Sequence, residues 1–228
     1  MTPHPRPLTP HVFDWDSVYD VMLDMDGTLL DRHFDNFFFE EELPRRYAAR
    51  QGLPFEEALA KLLALYRSVE TDLAWTDLHY WSRLLDMDLV ALTKELDHMI
   101  CFLPDAEDFL AHLREQGKRV HIVTNAHASG IAIKAAKTGV DRHVERIVNA
   151  FEVGYLKMRP EYWPICRRLI GFDPARSLYI DDDESCLAAA QAFGIGHLIH
   201  RSKSSSQLPP QPSSRYRSIE TFHVLMPR

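Results

Sequence analysis

The strongest constraint on the fold is the alternation of short apolar segments with segments of helical periodicity. VYDVML covers residues 18–23, RVHIVTNA covers residues 119–126, and SLYIDDD covers residues 177–183. The first is a short, nearly continuous apolar run, which is typical of a strand buried on both faces of a parallel sheet, and the other two are also predicted to form strands. Helical patterns separate these segments, so the sequence predicts βαβ units around one parallel sheet. Further strands are predicted at residues 146–154 and 196–200.

A long helical stretch interrupts this alternation. Residues 34–100 carry apolar side chains at helical spacing, and the clearest helix follows Pro54 over residues 55–69. We therefore predict an α/β core with a doubly wound, mostly parallel sheet and an inserted helical unit. The predicted bounds are 1–33 and 101–228 for the core and 34–100 for the insert.

Three other segments have distinct compositions. The proline-rich residues 1–16 are predicted to form an extended tail. Residues 202–214, SKSSSQLPPQPSS, have the composition of a mobile segment. Residues 218–226 are predicted to dock as a terminal helix.

Charge and cysteine content argue against several classes of protein. The net charge of −7 argues against a nucleic-acid or anionic-membrane partner. The 3 cysteines are far apart and include no C-x-x-C pair, which fits a reducing compartment better than a disulfide framework. No apolar segment approaches the roughly 20 residues of a membrane span, and the first residues lack the apolar core of a secretory signal. We therefore predict a cytoplasmic protein.

Polar residues follow three of the predicted strands. They are Asp24, Asp26, Thr124, Asn125, Asp181, Asp182 and Asp183. The carboxyl ends of parallel strands share one edge of a sheet, and ligands bind at that edge. Because clustered carboxylates raise one another's pKa values, the pattern favours a hard cation such as Mg²⁺, which also binds substrate phosphate. Lys157, in GYLKMRP, would add positive charge and help to make an anion site.

Each motif has a simpler interpretation when it is taken alone. Asp-Gly-Thr is typical of a turn, and three consecutive aspartates are typical of a solvated helix start. A calcium-binding EF-hand loop does not fit. Counting from Asp24, glycine falls at position 4 instead of 6, and Asp35 stands at position 12 instead of glutamate. The coincidence of three strand ends and a lysine in one chain favours a functional site.

These segments, in their order, resemble the four motifs of the haloacid dehalogenase-like (HAD) superfamily of phosphohydrolases. The motifs are LDMDGTLLD, VTNA, the lysine of GYLKMRP, and YIDDDES. The insert lies where that family carries a helical cap. FDNFF and WTDLHYWSRLLDMD extend the similarity to the bacterial members that act on GMP and IMP. The resemblance implies a Rossmann-like core, Mg²⁺ as cofactor, and 5′-nucleotidase activity on a small phosphomonoester, most simply a purine nucleoside monophosphate.

The resemblance also implies catalytic and substrate-binding roles. Asp24 would be the nucleophile that forms an aspartyl-phosphate, and Asp26 would be the general acid and then the general base. Thr124, Asn125 and Lys157 would bind the phosphoryl group, as phosphoryl transfer requires.

A metal site is implied in the same way. Its ligands would be the Asp24 carboxylate, the Asp26 backbone carbonyl and Asp182, with Asp181 bound directly or through water. One position departs from the family pattern, because Cys186 stands where many members carry a further aspartate.

Several questions remain open at the level of sequence. A sugar-phosphate phosphatase, a phosphomutase and a catalytically idle phosphate-binding protein are alternatives, and the protein is either a monomer or a dimer. Some side chains of the insert either contact a purine or pack between helices. They are Phe37, Phe38, Phe39, Arg45, Trp75, Tyr80 and Trp81.

Overall fold

One six-stranded parallel sheet organises the part of the chain that the computed structural model describes, residues 13–226. The strand order is β3-β2-β1-β4-β5-β6. The strands are β1 (Asp20–Leu23), β2 (Arg119–Thr124), β3 (Arg146–Asn149), β4 (Ser177–Asp181), β5 (His197–Arg201) and β6 (Ser218–Ile219). The strand predicted over residues 146–154 ends at Asn149, because the Asn149 side chain caps a helix that follows directly.

The register of β1 aligns the strand ends that carry the polar residues. Leu23 pairs with Ile122 of β2 and with Ile180 of β4. The Asp24 amide then donates to the Ile180 carbonyl at 3.0 Å. Asp24 is therefore brought level with Asp181 at the carboxyl edge of the sheet.

Both faces of the sheet are buried, as a doubly wound fold requires. Side chains alternate along β1, so Val21 and Leu23 belong to one hydrophobic cluster and Met22 to the other. All three have no exposed surface, and burying a side chain of this size contributes about 1.5–3 kcal/mol. The predicted doubly wound α/β class is confirmed.

The helices of the core alternate with its strands. They are α6 (Ala106–Glu115), α7 (Ala128–Thr138), α8 (Ala150–Val153), α9 (Tyr162–Ile170) and α10 (Glu184–Phe193), with short 3₁₀ turns at Trp15–Ser17, Val140–His143, Pro174–Arg176 and Phe222–Leu225. α6 and α7 pack on one face of the sheet through Phe109 and Ile131. α9 and α10 pack on the other face through Trp163 and Leu187.

Between β1 and β2 the chain is helical. The elements are α1 (His33–Phe37), a π-helical stretch (Phe38–Glu42), α2 (Leu43–Gln51), α3 (Phe55–Val69), α4 (Leu78–Leu85) and α5 (Leu89–Glu95), with 3₁₀ turns at Leu73–Thr76 and Asp97–Met99. The helix predicted over residues 55–69 is confirmed. The division into a core and a helical insert at residues 34–100 stays a prediction.

None of the helices within residues 13–226 combines the length and apolar character needed to span a bilayer.

The chain termini differ from the sequence predictions. Residues 1–12 of the predicted tail lie outside the described residues, and the rest of it packs on the core. Phe13 is 9% exposed, and Trp15 Nε1 donates to the Leu225 carbonyl at 2.8 Å. The predicted terminal helix is wrong, because Ile219 pairs with Arg201 in the sheet and only the 3₁₀ turn Phe222–Leu225 follows.

The Ser/Pro-rich segment, residues 202–214, packs on the loop after β1. Ser205 is 1% exposed, and the Ser206 amide donates to Asp31 Oδ1 at 3.0 Å. The Arg32 amide donates to the Ser204 carbonyl at 3.1 Å. The segment has the composition of a mobile linker, but these contacts fix it beside the carboxyl edge of the sheet.

Candidate active site

The sequence-predicted site residues converge on one cavity of about 420 Å³ between the carboxyl edge of the sheet and the helices of residues 34–100. Its lining includes Asp24, Asp26, Thr124, Asn125, Lys157, Asp181, Asp182 and Asp183. The volume falls within the range of about 300–1,000 Å³ that is usual for small-molecule sites. The structure therefore brings all of the predicted residues together.

Lys157 is the positive centre of the cavity floor. Its ammonium group lies 2.7 Å from Asp181 Oδ2 and also contacts Asp24 Oδ1. Its main-chain amide donates to Asn125 Oδ1 at 2.8 Å, which fixes the loop after α8 to the loop after β2. Burial alone would lower the pKa of Lys157, but Asp181 and Asp24 outweigh this effect and raise it, so Lys157 stays charged.

Asp181 is held by several donors. Its Oδ2 accepts from Lys157 and from the Tyr179 hydroxyl, and its Oδ1 accepts from the Asp183 amide at 2.8 Å. Its side chain has no exposed surface. Asp181 therefore anchors Lys157 through Oδ2. Asp183 instead caps α10 by accepting from the Ser185 amide, as the simpler interpretation of the aspartate run predicts.

Burial makes ionisation costly for Asp24 and Asp182. Burial raises the pKa of Asp24 well above its usual value, with Lys157 opposing the shift and Asp181 and Asp182 adding to it. Burial likewise raises the pKa of Asp182 to about 6, although Arg32 opposes the shift. Arg32 Nη1 lies 2.8 Å from Asp182 Oδ2. Arg32 was not among the residues predicted for the site, although it follows the first motif directly.

The donor set fits Mg²⁺. Asp24, Asp181 and Asp182 each offer a carboxylate oxygen, and these oxygens lie within 4.8 Å of one another. Magnesium prefers such hard oxygen ligands and takes one or two carboxylates beside water and phosphate. The Asp26 side chain is not part of this group of carboxylates.

Gly27 leaves room for Asp182. Its φ of +87° lies in the left-handed region, where side chains are disfavoured. A Cβ atom at this position would lie 2.4 Å from Asp182 Oδ2. The glycine of the first motif is therefore required both by the turn and by the neighbouring carboxylate.

The loop after β2 brings Thr124 and Asn125 to the cavity and contacts the helical region. Thr124 is 2% exposed, and its hydroxyl accepts from the Ala126 amide at 3.1 Å. The Asn125 carbonyl accepts from the Thr76 hydroxyl at 2.6 Å. This contact joins the cavity wall on the sheet side to the one formed by residues 34–100.

Asp26 has partners that sequence analysis missed. The Lys134 ammonium lies 2.7 Å from Asp26 Oδ1 and 2.8 Å from Asp35 Oδ1. Burial raises the pKa of Asp35 to about 6 against the opposing charge of Lys134. A signal for Lys134 exists in the sequence, because it follows Ile131 by three residues and so falls on the buried face of its helix.

The side chains of the helical region divide into cavity walls and packing residues. Phe38 and Trp81 line the cavity but are each 1% exposed, so most of their surface packs between helices. Phe39 also lines it, and Trp75 lines it with 37% of its surface exposed. The remaining candidates lie elsewhere: Phe37 lines a neighbouring cavity of about 630 Å³, Arg45 pairs with Glu42, and Tyr80 packs on Trp81.

Comparisons with known proteins agree with this geometry. A family model described as haloacid dehalogenase-like hydrolase matches residues 21–194. GMP/IMP nucleotidase YrfG of Escherichia coli K12 is 34% identical over 213 residues, which cover 93% of this chain and 96% of that protein. A phosphoglycolate phosphatase of Cupriavidus necator is 33% identical over 92 residues, 40% of each chain. The crystal structure of a HAD phosphatase from Thermococcus onnurineus has the same fold, with a TM-score of 0.76 at 20% identity over 91% of this chain and 96% of that one.

Proposed function

Because this chain belongs to the haloacid dehalogenase-like hydrolases, we propose that it hydrolyses phosphomonoesters with Mg²⁺ and that its substrates are the purine nucleotides GMP and IMP. The observation that carries the proposal is the contact between Asp24 and Lys157 at the floor of the cavity, beside Thr124 and Asp182. The 34% identity to a GMP/IMP nucleotidase over nearly the whole chain supports the choice of substrate.

The proposed reaction has two steps. The Asp24 carboxylate attacks phosphorus, the bond to the ester oxygen breaks, and Asp26 gives its proton to the departing nucleoside. Water then attacks the aspartyl-phosphate, Asp26 takes a proton from that water, and inorganic phosphate leaves. Splitting the hydrolysis in this way replaces one difficult displacement with two easier ones.

The phosphoryl oxygens need positive charge and donors around them. Lys157 supplies a buried ammonium group, and the Thr124 hydroxyl and the Asn125 amide supply donors at the end of β2. Asp24, the Asp26 carbonyl and Asp182 would hold Mg²⁺, with Asp181 bound to it directly or through water. The metal would supply further positive charge for the phosphoryl oxygens.

The proposed base site lies on the helical side of the cavity. Trp75 exposes part of its ring there, and stacking on an aromatic side chain is worth about 1–3 kcal/mol for a base. Arg67 and Glu70 line the same wall from α3 and its C-terminal end. A cationic donor and an anionic acceptor suit the O6 acceptor and the N1–H donor of a 6-oxopurine.

Phosphate release from a panel of phosphomonoesters tests the proposal. GMP, IMP, AMP and several sugar phosphates are assayed with Mg²⁺ and with EDTA, and the Asp24→Asn variant controls for contaminating phosphatases. We expect release from GMP and IMP that EDTA abolishes and that falls at least about 1,000-fold in Asp24→Asn. Faster release from a sugar phosphate would contradict the substrate, isomerised sugar phosphate would indicate a mutase, and no release from any substrate would contradict the hydrolytic activity.

A further inference from the structure

The buried Lys134 has no part in the reaction as set out above, although it contacts Asp26. We propose that Lys134 is a positioning residue for the acid–base step, holding one oxygen of Asp26 so that the other faces the leaving group. This inference rests on the proposed phosphomonoesterase function but not on its purine specificity.

One ammonium group joins two carboxylates. Lys134 Nζ lies 2.7 Å from Asp26 Oδ1 and 2.8 and 3.0 Å from the two oxygens of Asp35. The contact with Asp26 is an ion pair to one oxygen, whereas Asp35 accepts a hydrogen bond at each of its two oxygens. Asp35 therefore fixes the direction of the lysine, and the lysine charge holds Asp26.

The exposure of Asp26 differs between its atoms. Oδ1 is fully buried, yet the side chain as a whole keeps 24% of its surface exposed and lines the cavity. The exposed part therefore belongs to the remaining atoms of the side chain. Oδ2 is the oxygen that Lys134 does not hold, and it is the one placed to exchange a proton with a substrate.

Stability alone gives little reason for this lysine. Lys134 is 5% exposed and lies on the buried face of α7 with Ile131. Replacing a buried ion pair with apolar side chains of similar volume is often neutral or stabilising. A cation held at this depth, beside the proposed proton donor, is better explained by a role in placing that donor.

The test compares leaving groups in Lys134→Met. An alkyl phosphomonoester needs a proton on its leaving oxygen, whereas 4-nitrophenolate departs as a stable anion. The parameter kcat/KM reports only the steps through formation of the aspartyl-phosphate, so slow dephosphorylation does not affect it. We expect kcat/KM to fall about 10–100-fold on the alkyl ester and less than about 3-fold on 4-nitrophenyl phosphate.

Lys137→Met is the matched control. Lys137 lies one turn further along the same helix and pairs with Asp97 at 3.3 Å, and both side chains are exposed. We expect this variant to keep wild-type kcat/KM on both substrates. If Lys134→Met does not fold, Lys134→Met/Asp35→Asn takes its place, because it removes the buried charge that the single substitution leaves unpaired.

The outcomes separate this inference from the proposed function. The alkyl ester used in the test is whichever one the wild-type enzyme cleaves fastest. If the enzyme cleaves sugar phosphates and not GMP, the substrate proposal is overturned, but this test is still carried out with a sugar phosphate. Equal losses on the two substrates would assign Lys134 a purely structural role and overturn the inference. Unchanged kinetics in the variant would also overturn it.

Discussion

At the residue scale, three aspartates at the carboxyl edge each contact a different cationic side chain. Lys157 contacts Asp24, Arg32 pairs with Asp182, and Lys134 pairs with Asp26. This distribution lets several carboxylates lie together, since each cation offsets part of the repulsion between neighbouring negative charges. The aspartates of this edge therefore differ in their partners as well as in their place in the sequence.

Substituting Gly27 tests how tightly the first motif is packed against Asp182. In Gly27→Ala the new Cβ would force away Asp182 Oδ2, which Arg32 also holds. We expect the Mg²⁺ concentration for half-maximal activity to rise about 10-fold, the usual scale for disturbing the surroundings of a metal ligand. Magnesium titration of phosphate release measures the change.

Gly52→Ala separates this displacement from backbone strain. Gly52 also has a positive φ, +65°, but no atom lies within 4 Å of the position of its Cβ. We expect it to cost about 1 kcal/mol in the free energy of unfolding and to leave the magnesium requirement unchanged. An equal rise in the Mg²⁺ concentration for half-maximal activity of both variants would show that the close approach of residue 27 to Asp182 does not affect metal binding.

At the element scale, the strand ends were predictable and the contacts across elements were not. Asp24, Thr124 and Asp181 follow apolar runs, and parallel pairing brings such ends together whatever the details of packing. The pairing of Lys134 with Asp35 depends on how α7 meets α1, which no local pattern specifies. The predicted terminal helix was wrong for a related reason, because Ser218 and Ile219 pair with β5, a long-range contact that the local sequence does not specify.

The helices of residues 34–100 have a testable part in substrate choice. We expect Trp75→Ala to raise KM for GMP about 10-fold, because it removes a stacking surface, and to leave kcat/KM on 4-nitrophenyl phosphate within about 2-fold. Leu84→Ala is the control, since Leu84 is a 47% exposed side chain of α4 that does not line the cavity. Equal changes on the two substrates would contradict a role for Trp75 in binding the base.

A buried ion pair joins three elements away from the cavity. Arg201 of β5 lies 2.7 Å from Asp105 before α6, and Asp105 also accepts from the Phe222 amide. We expect Asp105→Ala to cost about 3–5 kcal/mol in the free energy of unfolding, because it leaves a buried guanidinium unpaired. Denaturant unfolding measures this cost, and the exposed Asp108→Ala, which should change it by less than about 0.5 kcal/mol, is the control.

At the scale of the whole molecule, the cavity is a junction between the sheet and the helices of residues 34–100. The Thr76–Asn125 hydrogen bond and the Asp35–Lys134 ion pair cross it. Burial disfavours ionisation of Asp24 and Asp182 at its floor, so the protonation state of these two carboxyl groups affects the stability of the entire chain. The free energy of unfolding should therefore depend on pH through these carboxyl groups.

Magnesium is expected to stabilise the protein more at pH 7.5 than at pH 5.5. Burial raises the pKa of Asp182 from its usual 3.8 to about 6, so the folded chain binds more protons than the unfolded chain in this window. Without metal, the contribution of Asp182 is therefore present below pH 3.8 and is lost as the pH rises toward about 6. Binding of Mg²⁺ to the ionised Asp182 carboxylate restores the lost stability. At pH 5.5 the ion must first displace a proton from Asp182, so it stabilises the protein less.

Thermal unfolding with Mg²⁺ and with EDTA at the two pH values measures the difference. We expect Asp182→Asn to show a smaller gain in Tm from Mg²⁺ at pH 7.5. A gain in the wild-type protein that is equal at both pH values would contradict the link between metal binding and the raised pKa.

The central place of β1 in the sheet has a consequence for biosynthesis. The ribosome makes β1 first, but its two neighbours, Arg119–Thr124 and Ser177–Asp181, emerge only after the helices of residues 34–100. Until then the apolar side chains of Val21 to Leu23 have no sheet to join, and nascent chains with such exposed segments are typical targets of chaperones. Helices rich in local contacts form early, whereas long-range strand pairing is slow. The candidate site is therefore completed only when Asp181 and Asp182 arrive beside Asp24, which is made before all the helices of residues 34–100.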